Sequence, residues 1–231
     1  MHVLFRTLGQ QQGLEQIRGI LSESIDAFLN EAIIQTARVA VLGNVQPTKD
    51  VLTPQYTKIS SLNQVSTLFR TEEKNVSIAS EGDSVTIMLA QIPLCITNFV
   101  VKYNIDNNGY EKFDLRLIES ERLHQTLNDY LNRASRDYPI ISLINGTNSK
   151  QFDMNLFTGG NNNHVASIIV SYIKLPSKVY FDEVNYGTES DTSVHCDMPQ
   201  HLHNQIVETA VQIWFQSLGL TSERETKQNN N

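Results

Sequence analysis

Apolar residues recur at helical spacing early in the chain, where Leu14, Ile17, Leu21, Ile25, Phe28, Leu29, Ala32, Ile33 and Ala37 form one stripe. This predicts a long helix over about 13–42, with Gly19 permitting a kink and Ser22 or Ser24 able to divide it. Gly43-Asn44 tolerates the left-handed conformation that ends helices. Residues 46–64 are polar and carry Pro47 and Pro54, so a loop or extended arm is expected there. Residues 59–69 are equally compatible with a short helix or a strand.

From Val76 the period falls to two. Val85, Ile87 and Leu89 alternate with polar partners, Pro93 interrupts, and 96–105 continues as a strand. Asn107-Asn108-Gly109 is a hairpin signal, and 112–119 returns with Phe113, Leu115 and Leu117 on one face. A second helix is predicted over 121–135 from the stripe of Leu123, Leu127, Tyr130 and Leu131. Strands follow at 139–144, 151–157 and 165–175, separated by Asn145-Gly146 and by Gly159-Gly160 with three asparagines. A closing amphipathic helix spans 199–218, opened by Pro199, with Leu202, Ile206, Ala210, Ile213, Trp214 and Leu218 on its apolar face. Strands joined by tight turns pair antiparallel, so the expected class is α+β: a long N-terminal helix, antiparallel strands with an intervening helix, and an amphipathic C-terminal helix. The length fits one large domain or two intimately packed ones; the pattern is taken as a single domain over 1–222 with a polar, frayed tail at 223–231.

Composition narrows the function classes. Of the 231 residues, 40% are hydrophobic and 19% charged, with Asn and Gln abundant, as in folded proteins with polar surfaces. The net charge of −7, from 18 basic and 25 acidic residues, lacks the cationic surplus that sequence-independent DNA binding draws on. No apolar run reaches the 18 or so residues of a membrane-spanning helix, and the opening Met1-His-Val-Leu-Phe-Arg has no signal-peptide core, so no membrane association is expected. Cys95 and Cys196 are expected as free, buried thiols in a reducing compartment.

His195, Cys196, His201 and His203 lie close together and invite a zinc reading. A closed site needs four convergent ligands, and His201 and His203 on one helix point roughly 200° apart, so no metal or other cofactor is assigned. Cys196 with neighbouring histidines also admits a thiol nucleophile, although no family signature surrounds it. Asp182-Glu183 and Glu189 with Asp191 read as solvated turns, and Gly159-Gly160 lacks the spacing of a phosphate-binding loop. Arg116, Arg122, Arg133 and Arg136 flank the middle helix and face either solvent or an acidic partner. Two features read as interface candidates: the 46–64 arm with Pro47, Pro54 and Tyr56, and the adjacent aromatics Trp214 and Phe215, which are either core or an exposed anchor.

One set of motifs carries a resemblance. Ile25-Asp-Ala-Phe-Leu-Asn-Glu-Ala32, Asp137-Tyr-Pro-Ile-Ile-Ser-Leu-Ile144, Ser171-Tyr-Ile-Lys-Leu-Pro176 and Cys196-Asp-Met-Pro199 stand in order. With His201-Leu-His203, Ile206-Val207 and Ala210-Val211, they resemble the head-to-tail connector or tail-ring proteins of crAss-like and related short-tailed bacteriophages. Met198 before the proline, and Asn204-Gln205, depart mildly from that pattern. The resemblance implies a non-enzymatic virion subunit in the phage neck or tail, assembled in the host bacterial cytoplasm. It would form a cyclic homo-oligomer against the portal and neighbouring ring proteins, around a path through which genomic DNA passes without sequence recognition. The competing class is a small metal-dependent or thiol hydrolase centred on His195–His203.

Deleting residues 46–64 is expected to leave the rest of the chain folded, with an unchanged circular-dichroism melt, while weakening self-assembly. Assembly equal to that of the full chain would show that the arm has no such role.

Overall fold

A computed structural model of the chain describes residues 1–11, 19–42, 65–105 except 77, 79 and 81, 109–160 except 149, and 164–218. It is α+β. The single domain expected from the sequence divides into two compact units: 1–68 with 176–231, and 69–175 between them.

Among its described residues the first unit holds the α-helices α1 (His2–Gln11), α2 (Ser22–Leu42) and α4 (His203–Ser217). The sequence pattern did not reveal α1, whose short amphipathic stretch buries only Phe5 and Gly9. The predicted long helix begins at Ser22, one of the expected break points, and Leu21 is exposed rather than in the stripe. Ile25, Leu29, Ala32, Ile33, Ala37 and Ala40 of α2 are buried. Phe5 of α1 packs between the rings of Phe28 and Trp214, with centroids 6.5 and 6.0 Å away. Pro199 is extended, with φ −54° and ψ 141°, and caps a 3₁₀ turn (Gln200–Leu202) rather than occupying the first helical turn. From α4, Ile206, Val207, Ala210, Val211 and Trp214 are buried, whereas Leu218 is half exposed.

A second face of α2 is polar and engages the chain beyond residue 178. Asn30 accepts from the Val179 N–H through Oδ1 (2.7 Å) and donates to the Val179 carbonyl through Nδ2 (3.0 Å). Asp26 Oδ2 accepts from the Phe181 N–H at 3.0 Å, and Ser22 Oγ donates to Glu183 at 2.5 Å. Four helical residues rise about 6.0 Å, and two extended residues span about 6.6 Å. Side chains at i, i+4 and i+8 on the helix therefore meet every second residue of an antiparallel extended segment. Burying Asp26 and Ser22 is tolerated because each has its partner.

The second unit is a two-sheet sandwich. One sheet has the order β1 (Phe69–Asn75), β8 (Val165–Lys174), β3 (Pro93–Ile105), β4 (Gly109–Asp114). The other has β2 (Ser84–Met88), β7 (Gln151–Phe157), β6 (Ile140–Asn148), β5 (Arg116–Leu117). All pairs are antiparallel except β5 with β6. Val85, Ile87, Met154 and Leu156 from one sheet and Phe99, Val101, Val170 and Tyr172 from the other make a shared core. Leu115 carries the chain across: its N–H bonds to Phe99 of the first sheet (2.9 Å), and the next residue begins β5 in the second. Such a strand switch closes one corner of a sandwich. Pro93 opens β3, a position that needs no ladder donor, rather than interrupting a strand. The strand β6 runs through the expected Asn145-Gly146 turn to Asn148.

The middle helix, α3 (Ser120–Asn128), is shorter than predicted and buries no residue. Asp129 ends it by accepting from the Leu131 N–H (3.0 Å) and the Asn132 side chain (2.6 Å), a local turn that competes with helix continuation. Tyr130 and Leu131, expected in the apolar stripe, are 78% and 86% exposed, and Leu117 is exposed as well. Where Gly159 stands (φ +68°), an added Cβ would lie 2.6 Å from the Ser135 Cα, so this turn is a close backbone approach.

Asn30→Ala removes both partners of the Val179 backbone and is expected to cost about 2 kcal/mol, read in a denaturant titration. Leu21→Ala, at an exposed position, is the matched control and should change stability little. Equal effects from the two would contradict the pairing of Asn30 with Val179.

Candidate functional site

The His195–His203 segment follows from the polar pairing of α2. Once Asn30, Asp26 and Ser22 fix residues 179–183, the chain loops outward and returns through the antiparallel bridge Tyr180–Val194 (Tyr180 N–H to Val194 O 3.2 Å, Val194 N–H to Tyr180 O 2.8 Å). The outward loop is held by two aspartates. Asp182 accepts from the Asn185 N–H and side chain (3.0 Å each) and from Thr192 Oγ1 (2.8 Å). Asp191 accepts from the N–H groups of Gly187 and Ser193, 2.9 Å each. The Asn185 side chain, then Thr192, draw the Asp182 carboxyl down to about 2, and Asp191 is lowered chiefly by the Gly187 amide. These carboxylates serve the loop's own geometry.

Within this unit a cavity of about 440 Å³ is lined by His2, Tyr180, Phe181, His195, Cys196 and His203 among others. His2 Nε2 donates to Asp26 Oδ1 at 2.7 Å, its ring lies 4.7 Å from that of Phe181, and Phe181 lies 5.0 Å from Tyr186. The cluster anticipated from the sequence is thereby only partly brought together. His203 pairs with the Met198 carbonyl at 3.0 Å, while His195 and His201 are exposed. Among the described residues no three His, Cys, Asp or Glu side chains converge in a geometry that could hold a metal ion. Burial pushes the Cys196 thiol above its ordinary pKa, which favours the protonated form over a nucleophilic thiolate.

The sandwich unit carries the other candidate surface. Arg116 Nη2 donates to the carbonyls of Asn132 (2.9 Å) and Tyr138 (3.3 Å), so this arginine organises the turn after α3. A hollow of about 540 Å³ beside it is lined by Leu117, Arg122 and Asp129. Arg133 lies over the Tyr130 ring at 5.1 Å, and Arg136 pairs with Glu111 at 2.6 Å. Leu117, Tyr130, Leu131 and Tyr138 are exposed; Tyr138 lies 5.9 Å from Arg116, and Leu117 shares the hollow with Arg122. Tyr and Arg rimmed by apolar surface is the composition from which protein interfaces draw their strongest contacts.

The predicted interface residues fall differently. Pro47, Pro54 and Tyr56 lie outside the described residues. Trp214 is a core residue with 6% of its surface exposed, and Phe215 is half buried with its ring 5.4 Å from that of Trp214. Sequence reasoning placed Tyr130 and Leu131 in a core stripe and so missed the exposed surface. The Asn128-Asp129 pair, a helix-ending signal, was the clue that they lie beyond the helix.

The Asp182 carboxyl yields a pH prediction. Its folded value of about 2 lies below the unfolded value of about 3.9, so its contribution to stability is complete above about pH 4. That contribution is lost as the pH falls through about 2. The Asn185 and Thr192 resonances should titrate with a midpoint near 2, and a midpoint near 4 would refute the assigned bonds.

No helix among the described residues is long and apolar enough to cross a membrane. Neither a protein-family model nor a curated protein matches the chain.

Proposed function

We propose that this chain is a structural subunit of a bacteriophage particle, assembling as a cyclic homo-oligomer in the head–tail connector or tail and surrounding the DNA exit path. The observation that carries the reading is the exposed surface formed by Leu117, Tyr130, Leu131 and Tyr138 among the arginines of the sandwich unit. Exposed tyrosine and arginine side chains are the kind that anchor a contact with another copy. Ring closure needs that kind of head-to-tail contact, in which one surface fits a different surface of the next copy. An acidic chain also suits a conduit past which DNA moves without being held. The motif resemblance at both ends of the chain points the same way.

The hydrolase reading has a cavity with His195, Cys196 and His203 in its wall, but burial raises the pKa of the Cys196 thiol and His203 is engaged by main chain. Native mass of the purified protein, alone and with its portal partner, separates the two. The ring reading expects a ring-sized oligomer, alone or templated on the portal. A monomer indifferent to the portal that carries one zinc per chain would overturn it.

Replacing Tyr130 and Leu131 together by alanine is expected to weaken assembly about tenfold or more, as loss of interface anchors does. Both side chains are exposed, so the melting temperature of the subunit should hold. Unchanged assembly would remove this surface from the interface.

A further inference from the structure

The four edge strands of the sandwich unit are not alike. Charged residues are a common protection for a sheet edge, because an uncharged edge invites another strand. In β1, Arg70, Glu72, Glu73 and Lys74 lie within seven residues. β4 carries Glu111, Lys112 and Asp114, and β5 is only two residues long. β2, Ser84-Val-Thr-Ile-Met88, has no charge and is rich in β-branched residues.

The bonding phase of β2 follows from its neighbours. The Leu156 N–H donates to the Asp83 carbonyl (3.3 Å), and the Leu89 N–H donates to the Lys150 carbonyl (2.8 Å). Alternate residues from 83 to 89 therefore bond inward to β7, in register with Val85 opposite Met154 and Ile87 opposite Phe152. Ser84, Thr86 and Met88 turn their N–H and C=O groups to the open edge, and β7 is the only strand that pairs with β2 among the described residues. A groove of about 450 Å³ bounded by Lys74, Thr86, Met88 and Ala90 leaves room beside this edge.

We propose that β2 pairs antiparallel with β2 of a second copy about a two-fold axis through Thr86. In that register Thr86 exchanges both backbone bonds with its counterpart, and Ser84 does so with Met88 of the copy. On the core-facing side Val85 meets Ile87, so the buried apolar row of each sheet runs into the other. No charged residue of the strand opposes another. The same operation on β4 fails this condition. Leu115 bonds inward to Phe99, so Tyr110, Lys112 and Asp114 face outward, and a two-fold axis at mid-strand sets Lys112 against Lys112. Charge pattern and bonding phase together select β2, and a second copy of it, as the fitting partner. The pairing is independent of the ring reading: it joins subunits, or whole rings, in pairs.

Sedimentation velocity over a range of concentrations tests it, using the full chain, Thr86→Lys and Thr86→Pro. Lysine places like charges face to face on the axis. Proline removes an N–H that points away from β7, a substitution that edge strands tolerate. Both variants also lose the Thr86 hydroxyl bond to Asp153 (2.6 Å), so circular dichroism checks that each is folded. The expected result is a species whose mass grows with concentration to twice that of the smallest unit, and that falls by half in both variants. A mass unchanged by both variants, whether ring or monomer, would overturn the pairing and leave the ring reading standing. Halving in Thr86→Lys confirms it even if Thr86→Pro fails to fold.

Discussion

Commensurate spacing between a helix and an extended chain organises the first unit. Asn30, Asp26 and Ser22 stand one helical turn apart, and Val179, Phe181 and Glu183 stand two residues apart. The two repeats agree to within a fraction of an ångström per step. A segment with little regular secondary structure thereby acquires hydrogen bonds that a sheet would otherwise provide. Much else in this unit follows from it. The loop held by Asp182 and Asp191 projects from a fixed base, Asp26 also holds His2 at the start of α1, and the bridge to Val194 leads the chain back toward α4. Since α2 and residues 179–183 are far apart in sequence, the ladder ties the beginning and the end of the chain into one unit.

The sandwich unit rests on a different arrangement. Its first and last strands, β1 and β8, pair directly, with Phe69 opposite Ile173. The chain therefore enters and leaves this unit through adjacent strands. Glu72 on β1 adds a polar tie between the sheets: it accepts from the buried Tyr172 hydroxyl and from the Ala90 N–H beyond β2. Burial, then Glu72, push the Tyr172 hydroxyl up to about 12. Burial works against ionisation of Glu72, but bonds from Lys74, Tyr172 and Ala90 outweigh it and lower its pKa.

Elements whose burial repeats with a clean period were legible in the sequence. In β2, Val85 and Ile87 alternate with exposed neighbours, and β7 and β8 stand within a residue of their expected limits. β1 was invisible because Phe69-Arg-Thr-Glu-Glu-Lys-Asn75 lies at a sheet edge and its charges find partners within β1, on β8 and in Lys102 of β3. In α3 the stripe of Leu123, Leu127, Tyr130 and Leu131 looked continuous, yet Asp129 turned the chain first. The polar ladder on α2 was illegible for a related reason. Ser22, Asp26 and Asn30 share a face, but a single sequence cannot tell solvated polar residues from buried ones with partners 149 to 161 positions away. The histidine cluster was legible as composition but not as geometry: His195, Cys196 and His203 line one cavity, His203 is held by the Met198 carbonyl, and His201 is exposed elsewhere on the helix start.

The two units divide the proposed labour: one fixes an irregular segment with polar side chains, and the other presents an aromatic and arginine-rich surface on a closed core. The ladder is the premise on which the first depends, and amide hydrogen exchange of Val179 and Phe181 measures it directly. Their N–H groups are the ones accepted by Asn30 and Asp26. Exchange as slow as that of the α2 amides, and accelerated at Val179 in Asn30→Ala, is the predicted result. Exchange at the rate of an open loop, indifferent to that substitution, would contradict it.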